Sequence, residues 1–454
     1  MTVPFAPTNT DPPSSLAVRY ESDPIGVTRS VLFGDQAITG AVRRRVTDGS
    51  GDEFADWWGS FIRGTRRDPD RLAPDFRFID LFSSVGGLSV GAMEAISSVG
   101  RRPLPLMAAD VDARALQVYR ANIRPREAVA ESVRGMLDFR ISGSGEEARF
   151  AYEPIVTDRR LRVHEGGVDL ILAGPPCQGH SSLNNHSRHE DPKNLLYLTV
   201  PAAAVALGAR HIVIENVPNV VADRRGVVQT TITLLRNAGY HLSHGVLAAD
   251  KIGWPQTRKR FFLIASRDSI PLNLSVLGAG MGRAALPITW LFDDLEGGAL
   301  NDADIMNSVP HLSKENEARV NWLFDNDEHN LPNEIRPDCH KNGTTYTATY
   351  GRMFGDQPAP TITGGFLTPG RGRFIHPHER RVLTPREAAR VQGFPDWFDF
   401  CPNPSLPPSR SDVARWVGNA VPSILGYVAT LAAVHAEVTS LADLKPKEVV
   451  SRAA

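Results

Sequence analysis

The chain has 454 residues, 42% of them hydrophobic, which suits a large core and two or three domains. Its 50 basic and 51 acidic residues leave a formal charge of −1, so a nucleic-acid binder of the polybasic kind is excluded and any basic surface must be local. Three widely spaced cysteines, Cys177, Cys339 and Cys401, exclude a complete disulfide framework and a CxxC zinc site, and no apolar run approaches the ~18 residues of a membrane span. The expectation is a soluble protein of a reducing, cytoplasmic compartment.

Residues 1–75 form an extension. Its first two dozen residues are rich in Pro, Ser, Thr and Asp and read as a loose arm. EFADWWGSFI, from Glu53 to Ile62, has helical apolar spacing, with Trp57 and Trp58 packing on the main body or meeting a partner. FRFIDLF from Phe76 is a strand that runs into SSVGGLSVGAMEAI, a small-residue turn and then a helix. Doubly wound α/β folds present backbone N–H groups to a ligand in this way, and Gly86 and Gly87 permit close approach. The next strand, Pro105 to Ala109, ends at Asp110, two dozen residues past the glycines. There a carboxylate accepts from ribose hydroxyls or, like Asp112, serves a helix N-terminus. Asn122 to Val168 is a longer, more polar excursion than such a fold requires.

VDLILAGPPCQGHSSL, Val168 to Leu183, is an apolar strand that breaks at Gly-Pro-Pro and delivers Cys177. The prolines restrict the backbone carrying the thiol, so Cys177 reads as a nucleophile, with a buried core cysteine as the alternative. His180, His186 and His189 follow in a polar loop without a second ligand cluster, which argues against a metal. A strand from His211 to Ile214 ends in Glu215, a carboxylate placed for chemistry rather than solvation. In KIGWPQTRKRFFLIAS, Gln256, Arg258 and Arg260 share one face of an extended segment, catalytic or merely solvated. From about Ser269 the periodicity decays, and order returns in a stretch with six arginines between Arg371 and Arg390 against two glutamates. That excess suits a surface tracking phosphates, although Arg386 and Arg390 lie four apart on a helix and can serve structure. RWVGNAVPS then precedes an apolar helix.

Taken in order, these segments resemble the DNA (cytosine-5-)-methyltransferase family of bacterial type. Gly174-Pro175-Pro176-Cys177-Gln178-Gly179 matches the family's Pro-Cys-Gln motif, with His180 where many members carry phenylalanine and Ser181 restoring the pattern. Asp80, Leu81, Phe82, Gly86 and Gly87 match the cofactor motif, with Ser84 in place of its first glycine. Glu215-Asn216-Val217, the Gln256-Arg258-Arg260 motif, the Arg381 to Pro395 segment and Gly418-Asn419-Ala420-Val421-Pro422 follow in the family's order.

The resemblance implies a Rossmann-like α/β domain dependent on S-adenosylmethionine, made of residues 76–268 and 405–454 and interrupted by a target-recognition domain at 269–404. It implies a flipped cytosine in duplex DNA attacked at C6 by Cys177 and methylated at C5, with Glu215 at N3, Arg260 at O2 and Arg258 holding the active-site loop. Asp80, Phe82, Gly86, Gly87, Asp110, Val111, Pro175, Leu196, Asn419 and Val421 would surround the cofactor, Val111 and Leu196 against adenine. Ser132-Val133 and Asp138 compete for a further adenine contact. Gln178, Ser181, Gln256, Thr361, Thr363, Arg371 and Arg373 would face the DNA. Rival readings are a tRNA cytosine-5 methyltransferase and a silent DNA-binding relative. The setting such an enzyme suggests is restriction-modification or phage defence, with possible defence-system subunits.

Overall fold

A computed structural model describes residues 16–43, 51–68, 70–176, 196–298, 300–341 and 348–438. The extension is more ordered than its composition suggests. β1 (Leu16–Ser22), β2 (Gly26–Phe33) and β3 (Gln36–Arg43) form an antiparallel meander, in which Leu16 pairs with Phe33 and Phe33 with Gln36 across a tight turn at Gly34. The loose-arm reading thus fails from Leu16 onward. Only one face of this sheet is covered, so few apolar residues suffice to hold it. The cover is α1 (Glu53–Arg63), started by the Asp52 carboxylate accepting from the N–H groups of Phe54 and Ala55. Trp58 is fully buried, edge-on to Trp254 and Tyr427 at 5.9 and 5.4 Å, and its Nε1–H donates to the Tyr20 hydroxyl at 3.2 Å. The paired tryptophans therefore fix the extension to the main body.

That body is built on β4 (Asp75–Leu81), followed by α2 (Gly87–Ser98), β5 (Arg102–Ala109), α3 (Ala113–Ile123) and β6 (Glu127–Val129). Then come β7 (Leu170–Ala173), α4 (Thr199–Leu207), β8 (His211–Asn216), α5 (Val227–Asn237), β9 (His241–Ala248) and β10 (Lys259–Ser266). The seven strands lie in the order β9-β10-β8-β7-β4-β5-β6, and β10 runs antiparallel to both neighbours. Between β4 and β7 the order reverses, which opens a crevice at their carboxyl ends. The strands read as continuous apolar runs because both faces are buried. Phe78, Leu172 and Val213 point into one core, while Ile79, Ile171 and Ile214 point into the other.

The expected boundary at residues 268/269 is not a break in packing. Leu272, Leu291, Phe292, Met353, Phe374 and Leu383 share the core that holds Trp58 and Trp254. A smaller cluster of Val320, Leu323, Leu331 and Ile375 packs around α6 (Lys314–Asp325). Past α7 (Pro385–Val391), opened by a Thr384/Glu387 capping box, α8 (Arg410–Asn419) and the wholly buried α9 (Ser423–Val434) return the chain to the sheet.

Candidate active site at the carboxyl edge of the sheet

The turn after β4 is held by side chains from three elements. Ser89 on α2 donates to Asp80 at 2.5 Å and lies 2.8 Å from the Tyr119 hydroxyl. Burial raises Asp80 to about 7, because the ionised form has lost water and gained no cation. Phe82 and Ser84 take positive φ (61° and 47°), and Gly86 follows at 95°, so the expected glycine-rich path is kept with serine at one of its left-handed positions. Asp110 accepts the Ser84 N–H on one oxygen and the Asp112 N–H on the other, each at 2.9 Å. An ionised carboxylate has about four lone-pair sites, so acceptor capacity remains for two hydroxyls. Burial also pushes Asp110 upward. Val111 beside it is 73% exposed, an apolar side chain left standing in water at the mouth of the crevice.

The far end of the chain closes this turn. A Cβ on Gly87 would lie 2.7 Å from the Val421 carbonyl oxygen and 3.1 Å from Ala420 Cβ, so only glycine admits the Asn419–Val421 segment there. Val421 is buried and Asn419 exposed. Arg415 and Trp416 on α8 each donate to Asp112 at 2.9 Å, clamping α8 onto the start of α3. Burial works against the Asp112 charge, but Trp416, the Ala115 N–H and Arg415 hold its carboxyl below the ordinary value.

One strand away, β7 ends at Gly174-Pro175-Pro176. Gly174 donates to the Leu81 carbonyl at 3.2 Å, and a Cβ there would stand 3.8 Å from Glu215 Oε2. Asn216 Nδ2 donates to the Pro175 carbonyl at 3.2 Å, so the proline turn is pinned beside Glu215. Cys177, Gln178 and Ser181 lie outside the described residues, and Leu196, just past that gap, is half-buried. Glu215 at the end of β8 is 8% exposed and pairs with Arg260 Nε at 2.7 Å. Burial raises its pKa, with Arg260 and Arg258 opposing. Arg258, 2% exposed, donates to the Ile362 carbonyl at 2.6 Å and the Gly418 carbonyl at 2.9 Å. It thereby ties the strand β10 to the Thr361–Thr363 segment and to α8. A Cβ on Gly418 would fall 2.1 Å from the Gly364 nitrogen, which shows how close that junction is. Gln256 is fully buried with both amide atoms unpartnered among the described residues, while its backbone bridges Ala359.

The family model for C-5 cytosine-specific DNA methylase matches residues 76–430, the whole span from β4 into α9. The chain belongs to that family. It is 37% identical to the type II methyltransferase M1.BsuMI of Bacillus subtilis (strain 168), covering 82% of this chain and 84% of that protein. It is 32% identical to the type II methylase M.HgiDII of Herpetosiphon aurantiacus, over 57% of this chain and 74% of the other. The crystal structure of an E. coli prophage-encoded DNA modification methyltransferase shares the fold, with a TM-score of 0.51 at 22% identity, over 79% of this chain and 98% of that one. This C-5 cytosine-specific DNA methylase is thus a DNA (cytosine-5)-methyltransferase of bacterial type.

In the methylase Arg381 and Arg390 of the arginine-rich stretch are buried, Arg373 and Arg386 half-buried, and Arg371 and Arg380 exposed, so much of its charge serves structure. Arg381 pairs with Glu379 and Glu387, and Arg390 with Asp294 and Asp396. Arg380 pairs with Asp325, and Arg386 donates to Asn307. Arg373 donates to the carbonyls of His329 and Arg352 and to the Asn330 side chain, bracing a loop. Arg371 is exposed, and Thr361 and Thr363 are half-buried on either side of Ile362. The composition count included Glu379 and Glu387 but missed Asp294, Asp325 and Asp396, which lie outside the counted stretch. Of the adenine-contact candidates, Val133 is buried and Asp138 accepts the Tyr152 hydroxyl at 2.7 Å. Sequence reasoning also missed the Ser89–Tyr119 support of Asp80, the α8 clamp on Asp112, and Tyr197, whose buried, unpartnered hydroxyl is pushed upward by burial and by Glu215.

Proposed function

We propose that this methylase modifies cytosine in specific duplex DNA sequences, with Cys177 as nucleophile, Glu215 and Arg260 at the base, and S-adenosylmethionine held in the β4/β5 crevice. The observation that carries the reading is the buried Glu215–Arg260 pair beside the proline turn that leads to Cys177. The crevice residues fit the cofactor: Asp110 keeps two acceptor sites for a ribose, Val111 offers an uncovered apolar surface for a base, and Gly87 leaves room for backbone approach. When bound, S-adenosylmethionine supplies an electrophilic methyl group.

The chain's own residues do the rest. The Cys177 thiolate forms a bond to C6, and the C5–C6 electron pair moves toward C5 with charge shared at N3 and O2. Glu215, its pKa raised by burial, holds a proton toward N3, while Arg260 places positive charge at the same edge. Once C5 carries the methyl group, its proton passes to a base, the C5–C6 double bond re-forms, and the C6–S bond breaks to release the Cys177 thiolate. Arg258 keeps this edge in register with Thr361 and Thr363 through its grip on Ile362. Leu196, Phe82 and Pro175 would wall the cofactor, and Gln178, Ser181, Gln256 and Arg371 would face the DNA. The setting this suggests is a restriction-modification or phage-defence system of the cytoplasm.

The test is methyl transfer from labelled S-adenosylmethionine to mixed-sequence duplex DNA, wild type beside Cys177→Ala, with bisulfite sequencing of the product. Methylation by the wild type alone, in a short sequence context, is the expected result. Transfer by Cys177→Ala would overturn the nucleophile, and transfer to tRNA in place of DNA would overturn the substrate.

A further inference from the structure

The amino-terminal end of the sheet carries a cavity of about 360 Å³ that the methylation chemistry does not use. It exists because of the extension: β3 and α1 form one wall, and the second half of α2 with Pro103 forms the other. Its volume is in the range of small-molecule sites, about 300–1,000 Å³. Trp57, Phe61, Met93 and Trp397 give it an apolar, largely aromatic lining.

The charges in this lining are not all matched by hydrogen bonds. Arg29, 4% exposed, donates to Glu94 at 2.8 Å, and Glu94 is also the nearest carboxylate to Arg67, at 4.0 Å. One carboxylate thus serves two guanidinium groups. Among the described residues neither Arg66 nor Arg67 donates a hydrogen bond; Arg66 lies over the Trp397 ring at 5.2 Å and Arg67 over the Trp57 ring at 5.0 Å. Asp68 and Asp70 also line the cavity, but Asp70 caps the Leu72 N–H, and neither accepts from the two arginines. Arg101 is paired with Glu437 at 2.7 Å. Planar guanidiniums resting on indole rings, with donors to spare, form a site for a flat ring bearing an anion.

We propose that this cavity is a binding site for an aromatic anion of nucleoside monophosphate size, its ring against the half-buried Trp397 and Met93 and its anionic group between Arg66 and Arg67. The site is separate from the cofactor crevice, yet α2 spans both: its first residue, Gly87, is in the crevice, and Val90, Met93 and Glu94 are in the cavity wall.

Isothermal titration of the full chain, saturated with S-adenosylhomocysteine to keep adenine out of the crevice, tests the proposal with the four ribonucleoside monophosphates and inorganic phosphate as probes. One-to-one binding of at least one nucleotide is expected, at least about tenfold tighter than phosphate. Arg66→Gln and Arg67→Gln should each weaken it about tenfold, because each removes a charged hydrogen-bond partner. Both arginines are at least partly exposed, so an unchanged melting temperature and unchanged S-adenosylhomocysteine affinity serve as the control for folding. Absence of saturable binding by every nucleotide, equal binding of bare phosphate, or affinity untouched in both variants would overturn it.

Discussion

The two edges of the central sheet use the same residue types to opposite ends. At the carboxyl edge, Asp80, Asp110 and Glu215 are buried acids whose pKa values are raised by burial. At the amino edge, burial acts in the same direction on Asp169 and Glu437, but arginines overrule it. Asp169 is held low by Arg77 and Arg210, and Glu437 is brought to about 2 by His211, 3.7 Å away, together with Arg210 and Arg101. Even Glu215, which does have Arg260, stays raised. The fold can compensate a buried carboxylate fully, and at the carboxyl edge it leaves Asp80, Asp110 and Glu215 raised. Acids left ready to hold or accept protons mark the working edge, and fully paired acids mark the edge that holds the protein together.

Neutralising one acid at each edge should separate activity from stability. Glu215→Gln keeps the shape but cannot exchange a proton, and single-turnover methyl transfer should fall by about 10²–10⁴-fold, the usual worth of a general acid or base, with S-adenosylhomocysteine affinity little changed. A loss under fivefold would place the proton elsewhere. Glu437→Gln should leave single-turnover rates intact and cost on the order of 2 kcal/mol in urea denaturation. This is below the 3–5 kcal/mol of a fully buried pair because Arg210 is 40% exposed.

The pH dependence should also split by edge. Glu437 has its pKa depressed on folding, so its stabilisation is present above the ordinary value of 4.5 and is lost as pH falls toward about 2. Asp80 is raised from 3.8 to about 7, so the folded state loses stability as pH climbs through that window, because the unfolded chain ionises first. Melting temperatures of the ligand-free protein between pH 4 and about 8 should therefore decline less in Asp80→Asn than in the wild type. An identical slope would remove Asp80 from the account. The smallest effect belongs to Val111→Ala. Exposed as it is, the side chain adds little to stability, but losing two methyl groups at the crevice mouth should weaken S-adenosylhomocysteine about threefold to tenfold in a binding titration.

The carboxyl edge was readable because chemistry there depends on residue identity at strand ends, where the chain is straight and its neighbours are set by parallel pairing. Asp80, Asp110, the turn to Cys177, Glu215 and Arg260 could all be placed on such ends. What could not be read depends on partners distant in sequence. Arg390 looks like a free cation until Asp294 arrives from nearly a hundred residues away. The β1–β3 meander has a strand pattern of only half-covered residues, and its apolar cover, Trp57 and Trp58, comes from a helix that reads as separate. The boundary expected at residue 269 was set by fading periodicity, whereas the core continues through it by packing irregular segments on α9.

Arg258 grips Ile362 and Gly418 by their carbonyl oxygens, atoms that every residue type carries. A mount of this kind asks nothing of the side chains on the part it holds. Ile362 itself is fully buried in the core and no Cβ fits at Gly418, so the room for change lies with the half-buried Thr361 and Thr363 on either side. The molecule is in this sense a machine whose two parts are keyed by backbone and seated in one shared core, with only the rim left to be recut.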